Sequence, residues 1–192
     1  MSYIVILPVL IYLVGAFLIF LLWRKDEKLA GAAGISFVCL SALTSVLSGI
    51  EVFTDGKMLH FIGICKSSGM VFMLDPLSSL FLIMANTLAL LIMVYSAIYM
   101  KRYARTPYFY ILFLVMLAGM SGILISTDII SIFVFLEVAS IASFGLITFG
   151  PKAKELVRPM KIVGTIASII ILFAIALIYG TTGTINVSEF MS

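Results

Sequence analysis

Glu137 lies near the middle of an apolar stretch that runs from Ser126 to Gly150. Taking a carboxylate to bilayer depth costs at least ~2.5–3.5 kcal/mol on insertion scales, and more if it stays charged and unpaired. Such a group either handles ions or is hydrogen-bonded to a neighbouring helix to fix packing, and ion handling is the default reading at that depth. Ser140, Phe144 and Thr148 follow it at i+3, i+7 and i+11, on one side of a helix, with Ser143 round the edge. Small hydroxyl side chains beside a buried carboxyl hold water or donate hydrogen bonds, and they also let helices pack closely. Further on, Lys161, Thr165 and Ser168 recur at i, i+4 and i+7 as one polar stripe. Lys161 is the obvious candidate partner for Glu137. Depth argues against a direct pair: with a helix starting at Pro159, Lys161 begins ~3–5 Å inside one boundary, whereas Glu137 is ~20 Å from it. Lys161 then acts as a relay reached through water, or as a snorkelling anchor.

The elements that position these residues follow from composition. Of the 192 residues, 63% are hydrophobic and 11% charged, and the mean hydropathy is +1.26. A soluble domain is nearer half apolar and a quarter charged, so the chain is expected to be an all-α integral membrane protein. Six apolar runs are long enough to span a bilayer, at roughly 3–23, 30–52, 76–100, 107–126, 128–149 and 159–179. Together they make a single transmembrane domain. Asp75-Pro76 reads as a cap and first residue of the third span, and Asp128 as a carboxylate favouring the start of the fifth. The segment 53–75 is too polar to span and reads as a loop with a β-prone run near its end. Asn86, and Gly119 with Gly122, read first as packing features.

Ten of the twelve Lys and Arg fall after the first, third and fifth spans or just inside the sixth. The positive-inside rule then puts both termini outside, with Trp23 and several Tyr at the inner interface. The net charge of +3 does not point to nucleic acid, because the basic residues sit at the ends of apolar runs. Cys39 and Cys65 form no CxxC pair, and the single histidine, His60, completes neither a metal site nor a nucleophile arrangement. No cofactor is expected, no phosphate loop follows a strand, and no basic n-region precedes the first span.

Four segments together resemble the N-terminal part of the antiporter-like membrane subunits found in complex I, in membrane-bound hydrogenases and in Mrp-type Na⁺/H⁺ antiporters. They are Leu74-Asp-Pro-Leu-Ser-Ser-Leu-Phe81, Leu117-Ala-Gly-Met-Ser-Gly122 with Ser126-Thr-Asp-Ile-Ile130, Phe133-Val-Phe-Leu-Glu-Val-Ala-Ser140, and Met160-Lys-Ile-Val-Gly-Thr-Ile-Ala-Ser168 running on to Val187. The resemblance implies inverted helix repeats around a water-lined proton path. It also implies that Glu137 matches a fifth-helix glutamate that works with a lysine on a seventh helix, and that Lys161 matches a sixth-helix lysine. Leu136 departs from the aromatic residue usual at its position. Family members are longer, and the seventh helix is not in this sequence. The implied function is a non-redox membrane subunit of an ion-translocating oxidoreductase or antiporter complex. It would move protons or exchange Na⁺ for H⁺ through Glu137 and Lys161, with Ser140, Thr148, Thr165 and Ser168 lining the path. The implied partners are the lipid bilayer and other membrane subunits, another antiporter-like subunit among them. The alternative is a truncated subunit that docks its neighbours and moves no ions.

Overall fold

Hydrocarbon offers the backbone no water, so apolar runs of this length close their own hydrogen bonds as helices. A computed structural model describes residues 2–22, 27–56, 58–62, 70–100, 106–150, 153–184 and 186. Among the described residues there are six α-helices: α1 Leu7–Leu22, α2 Glu27–Asp55, α3 Pro76–Tyr99, α4 Thr106–Ile125, α5 Ile129–Ile147 and α6 Ala153–Thr182. A 3₁₀ turn, Ser2–Val5, leads into α1, and an antiparallel hairpin of β1 Met58–Ile62 and β2 Met70–Leu74 stands between α2 and α3. Helices α2 to α6 each hold a stretch long and apolar enough to cross a bilayer. The 16 residues of α1 rise about 24 Å, and the turn ahead of it adds roughly 8 Å. The chain is an all-α, multi-pass membrane protein.

Several helix ends differ from those read off the apolar runs. The first residues take a 3₁₀ turn, so α1 starts at Leu7. Apolarity marks lipid contact rather than hydrogen bonding, so α2 continues through polar residues at both ends, from Glu27 to Asp55. Pro159 does not start α6; the helix begins at Ala153 and Pro159 lies inside it. Proline is favoured at a first helical position but also tolerated further in, at the loss of one i→i−4 bond. Trp23, Arg24, Lys25, Lys57, Cys65, Lys66, Lys101, Arg102, Tyr103, Arg105 and Lys152, on which the orientation, interface and cysteine readings drew, lie outside the described residues.

Burial follows narrow seams. Val5 of the 3₁₀ turn and Val9, Tyr12, Ala16 and Ile19 of α1 are buried along one line, and Ser79, Leu82, Asn86, Ala89, Met93 and Ser96 along α3. Steps of three and four residues keep each seam on one face. The central element is α4, which packs on α1, α2, α3 and α5. In α4 50% of the spanning stretch is buried, against 6% in α6, so α6 lies at the edge and leans on α5. Close contact of α4 with α5 depends on Gly119, where a Cβ would stand 2.8 Å from the backbone N of Ala139 and the carbonyl of Phe135.

The α2 seam is polar: Ser41, Ser45 and Ser48 are all buried there. Tyr12 donates to the Asn86 Oδ1, the Asn86 amide donates to Ser45 Oγ, and Ser45 donates to the Ser41 carbonyl at 2.6 Å. One chain of bonds thus joins α1, α3 and α2. At the other end of the bundle wall, Thr127 donates to the Val71 carbonyl through its N–H at 3.2 Å and its hydroxyl at 2.8 Å, and Phe72 pairs with Ser126. The hairpin therefore holds the α4–α5 connection, and Asp128 of that connection pairs with Asn186 beyond α6.

Because Asn86 both donates and accepts in this chain, N86L is expected to cost about 1–3 kcal/mol by stranding two partners. Y12F is expected to cost only about 0.6 kcal/mol, the usual value of one such bond in a membrane. Reversible unfolding in lipid-detergent micelles measures both, and equal effects would count against the shared network.

Candidate functional site

The start of α5 is set locally. Asp128 is extended at φ −108° and ψ 143°, and its carboxyl accepts from the Ser131 N–H at 2.7 Å. Eight residues after Ile129, Glu137 is carried about 12 Å along the axis, close to mid-helix. α6 runs back antiparallel beside it. The two helices meet where α6 has no side chain: a Cβ on Gly164 would stand 2.7 Å from Phe144 Cζ. That contact sets the register, and it brings Ser168 opposite Glu137. Ser168 donates to Glu137 Oε1. Glu137 is half-buried, as is Ser168.

Between α5 and α6 lies a cleft of about 670 Å³. Glu137, Ser140, Thr148, Lys161, Thr165 and Ser168 all line it, among apolar side chains such as Leu136, Phe144 and Leu172, with Leu112 of α4 behind. A second cleft of about 910 Å³, bounded by Val157, Arg158 and Ile162, shares Thr148 and Lys161 with the first. Polar groups therefore run from Arg158 and Lys161, in the second and third turns of α6, to Ser168 at its middle and Glu137 facing it from α5. Arg158 entered the sequence reading only as a loop charge; its place at the mouth depends on α6 starting at Ala153.

The six residues do not all bond one another. Among the described residues Glu137 and Lys161 form no ion pair. Lys161 is seven residues from Ser168, about 10 Å along α6, so the space between is one for water or for a third group. Lys161 is also two turns inside α6 rather than at its start. The Thr148 hydroxyl turns back to the Gly145 carbonyl at 2.5 Å. Ser143 donates to the Ser140 carbonyl at 2.7 Å and lies off the cleft. The direct bond from Ser168 to Glu137 was not read from the sequence, which argued against a direct pair with Lys161 but named no bonded partner in its place. The available signal was Gly164, whose missing side chain allows close approach one turn before Ser168.

Residues 66–110 match the family described as NADH-ubiquinone oxidoreductase (complex I), chain 5 N-terminus. Residues 126–192 match the family described as NADH:quinone oxidoreductase/Mrp antiporter, TM, and so include every polar cleft residue named above. The chain belongs to the antiporter-like membrane subunits. It is 30% identical over 193 residues to a Na(+)/H(+) antiporter subunit of Alkalihalophilus pseudofirmus, covering 98% of this chain and 39% of that one. It is 29% identical over 195 residues to an NADH-quinone oxidoreductase subunit of Desulforudis audaxviator, covering 95% and 38%. Its fold matches a chain of the membrane-bound sulfane sulfur reductase, an archaeal respiratory membrane complex, with TM-score 0.90, 25% identity, and coverage of 96% and 39%. The chain thus spans about two-fifths of the length of these relatives.

A wet cleft distinguishes its lining from the lipid-facing side of the same helix. Thr165 lines the cleft and Ile166, its neighbour, faces away. In a background with Cys39 and Cys65 replaced, T165C is expected to react with a charged thiol reagent on the order of tenfold faster than I166C, since the reactive thiolate needs water. Labelling rates in proteoliposomes measure this, and equal rates would mean that the cleft is no wetter than the outer face.

Proposed function

We propose that this antiporter-like subunit belongs to an ion-translocating respiratory or antiporter complex and that Glu137 carries its protons, or exchanges them for Na⁺, in the cleft between α5 and α6. The observation that carries this reading is the Glu137 carboxyl at mid-helix, opening on a cleft whose polar groups lead back to Lys161 and Arg158. An intramembrane carboxyl facing such a cleft, and bonded on one side only, has room to exchange a proton with water. In this scheme Lys161 is the relay between the mouth and Glu137. Ser140, Thr165 and Ser168 supply hydroxyls along the way, and Thr148 stands where the two clefts meet. The family membership, and the names of the antiporter and oxidoreductase relatives, support the same reading.

The likeness to chains of the Mrp complex and of the sulfane sulfur reductase membrane complex supports a place among other membrane subunits, another antiporter-like subunit included. The positive-inside distribution supports both termini outside a prokaryotic plasma membrane. The lack of an ion pair between Glu137 and Lys161 among the described residues favours a second reading, in which the chain docks neighbouring subunits and moves no ions.

E137Q in the assembled complex separates the two. On the first reading, ion gradients measured with a pH-sensitive dye in inverted vesicles fall to background while the complex keeps its size on a native gel. Normal gradients in E137Q would end the first reading, and a complex that falls apart would favour the second.

A further inference from the structure

Ser168 lies within bonding distance of two acceptors, Glu137 Oε1 on α5 and the Gly164 carbonyl on its own helix, the latter at 3.0 Å. A serine hydroxyl has one proton and two lone pairs, so it cannot donate to both. Which acceptor it serves depends on Glu137. An ionised carboxyl only accepts, and a hydrogen bond to it is about twice as strong as a neutral one. Ser168 must then donate to Glu137, and the Gly164 carbonyl is left with its ordinary helical partner. A protonated carboxyl is a donor as well. Its O–H can donate to Ser168 Oγ, and the Ser168 proton is then free to turn to the Gly164 carbonyl.

We propose that the Ser168 hydroxyl is a switch that passes the protonation state of Glu137 to the backbone of α6. The inference rests on Glu137 being the proton-carrying group of the proposed function. The step balances without any covalent change at Ser168: one proton joins a Glu137 oxygen from water in the cleft, leaves by the same water, and the serine proton only rotates. A serine that back-bonds to the carbonyl four residues earlier bends its helix. Here the bend falls at Gly164, where α6 rests on the Phe144 ring with no side chain of its own in between. Among the described residues α6 packs on α5, so the bend acts on the α5–α6 contact. Protonation of a carboxyl on α5 thus becomes a change of curvature in α6, next to the contact that holds the two helices in register. Ser168 is a positioning residue in this scheme: it acts through Glu137.

The test is infrared difference spectroscopy, acid minus alkaline, on the full chain in lipid nanodiscs. The Glu137 carboxyl band is identified by its loss in E137Q. Threonine keeps the hydroxyl and valine keeps the shape without it. S168T is expected to retain both the carboxyl band and the accompanying backbone amide change. S168V is expected to move the carboxyl band to higher wavenumber and to abolish the amide change, and S168A makes the same comparison if S168V does not insert. An unmoved band in S168V overturns the inference, as does an amide change that persists after the band has moved. Both of those results leave the proposed function standing. A wild-type spectrum with no Glu137 band overturns that function and this inference with it.

Discussion

A carboxyl on an apolar helix needs hydrogen bonds from the protein or from water, and at Glu137 this requirement bears on how α5 and α6 pack. Ser168 supplies one bond from the neighbouring helix, and the cleft supplies the space for others. For that bond to form, α6 must lie close to α5 in one register. Gly164 against Phe144 is what permits it. A side chain at Gly164 would have to displace the Phe144 ring to keep this approach.

One part of the bundle meets the same requirement in another way, while Ser79 Oγ and Ser131 Oγ are buried with no partner among the described residues. Tyr12, Asn86 and Ser45 satisfy one another across three helices, deep within packing that leaves each of them fully buried. Nothing there is free to exchange with water. α4 then binds this closed group to α5 through a glycine contact too tight for any side chain. Burial within the chain therefore falls off from α4 to α6, and the Glu137 carboxyl lines the cleft between α5 and α6.

Much of this was legible in the residues. Six helices follow from the apolar runs, five of them long and apolar enough to cross a bilayer, because bilayer thickness sets helix length directly. The caps at Asp75 and Asp128 are legible because a cap bonds an N–H only three residues away. Glu137, Ser140 and Thr148 share a face by helical period alone. The ends of α2 and α6 were less legible, since hydropathy registers lipid rather than hydrogen bonding, and a proline at Pro159 reads equally as a first or an inner residue of a helix.

The sequence by itself determined that this chain lives in a membrane, that it carries an acid group in its fifth span, and that hydroxyls share that group's face, because length, polarity and period are local properties. The tertiary structure alone decided that the acid's bonded neighbour is Ser168, that Asn86 joins Tyr12 to Ser45, and that Arg158 lines a cleft. Those pairings span 31, 74 and 41 residues of chain where they are bonds. They depend on how two helices slide against each other until a glycine meets a ring, and no pattern within a single helix encodes that offset.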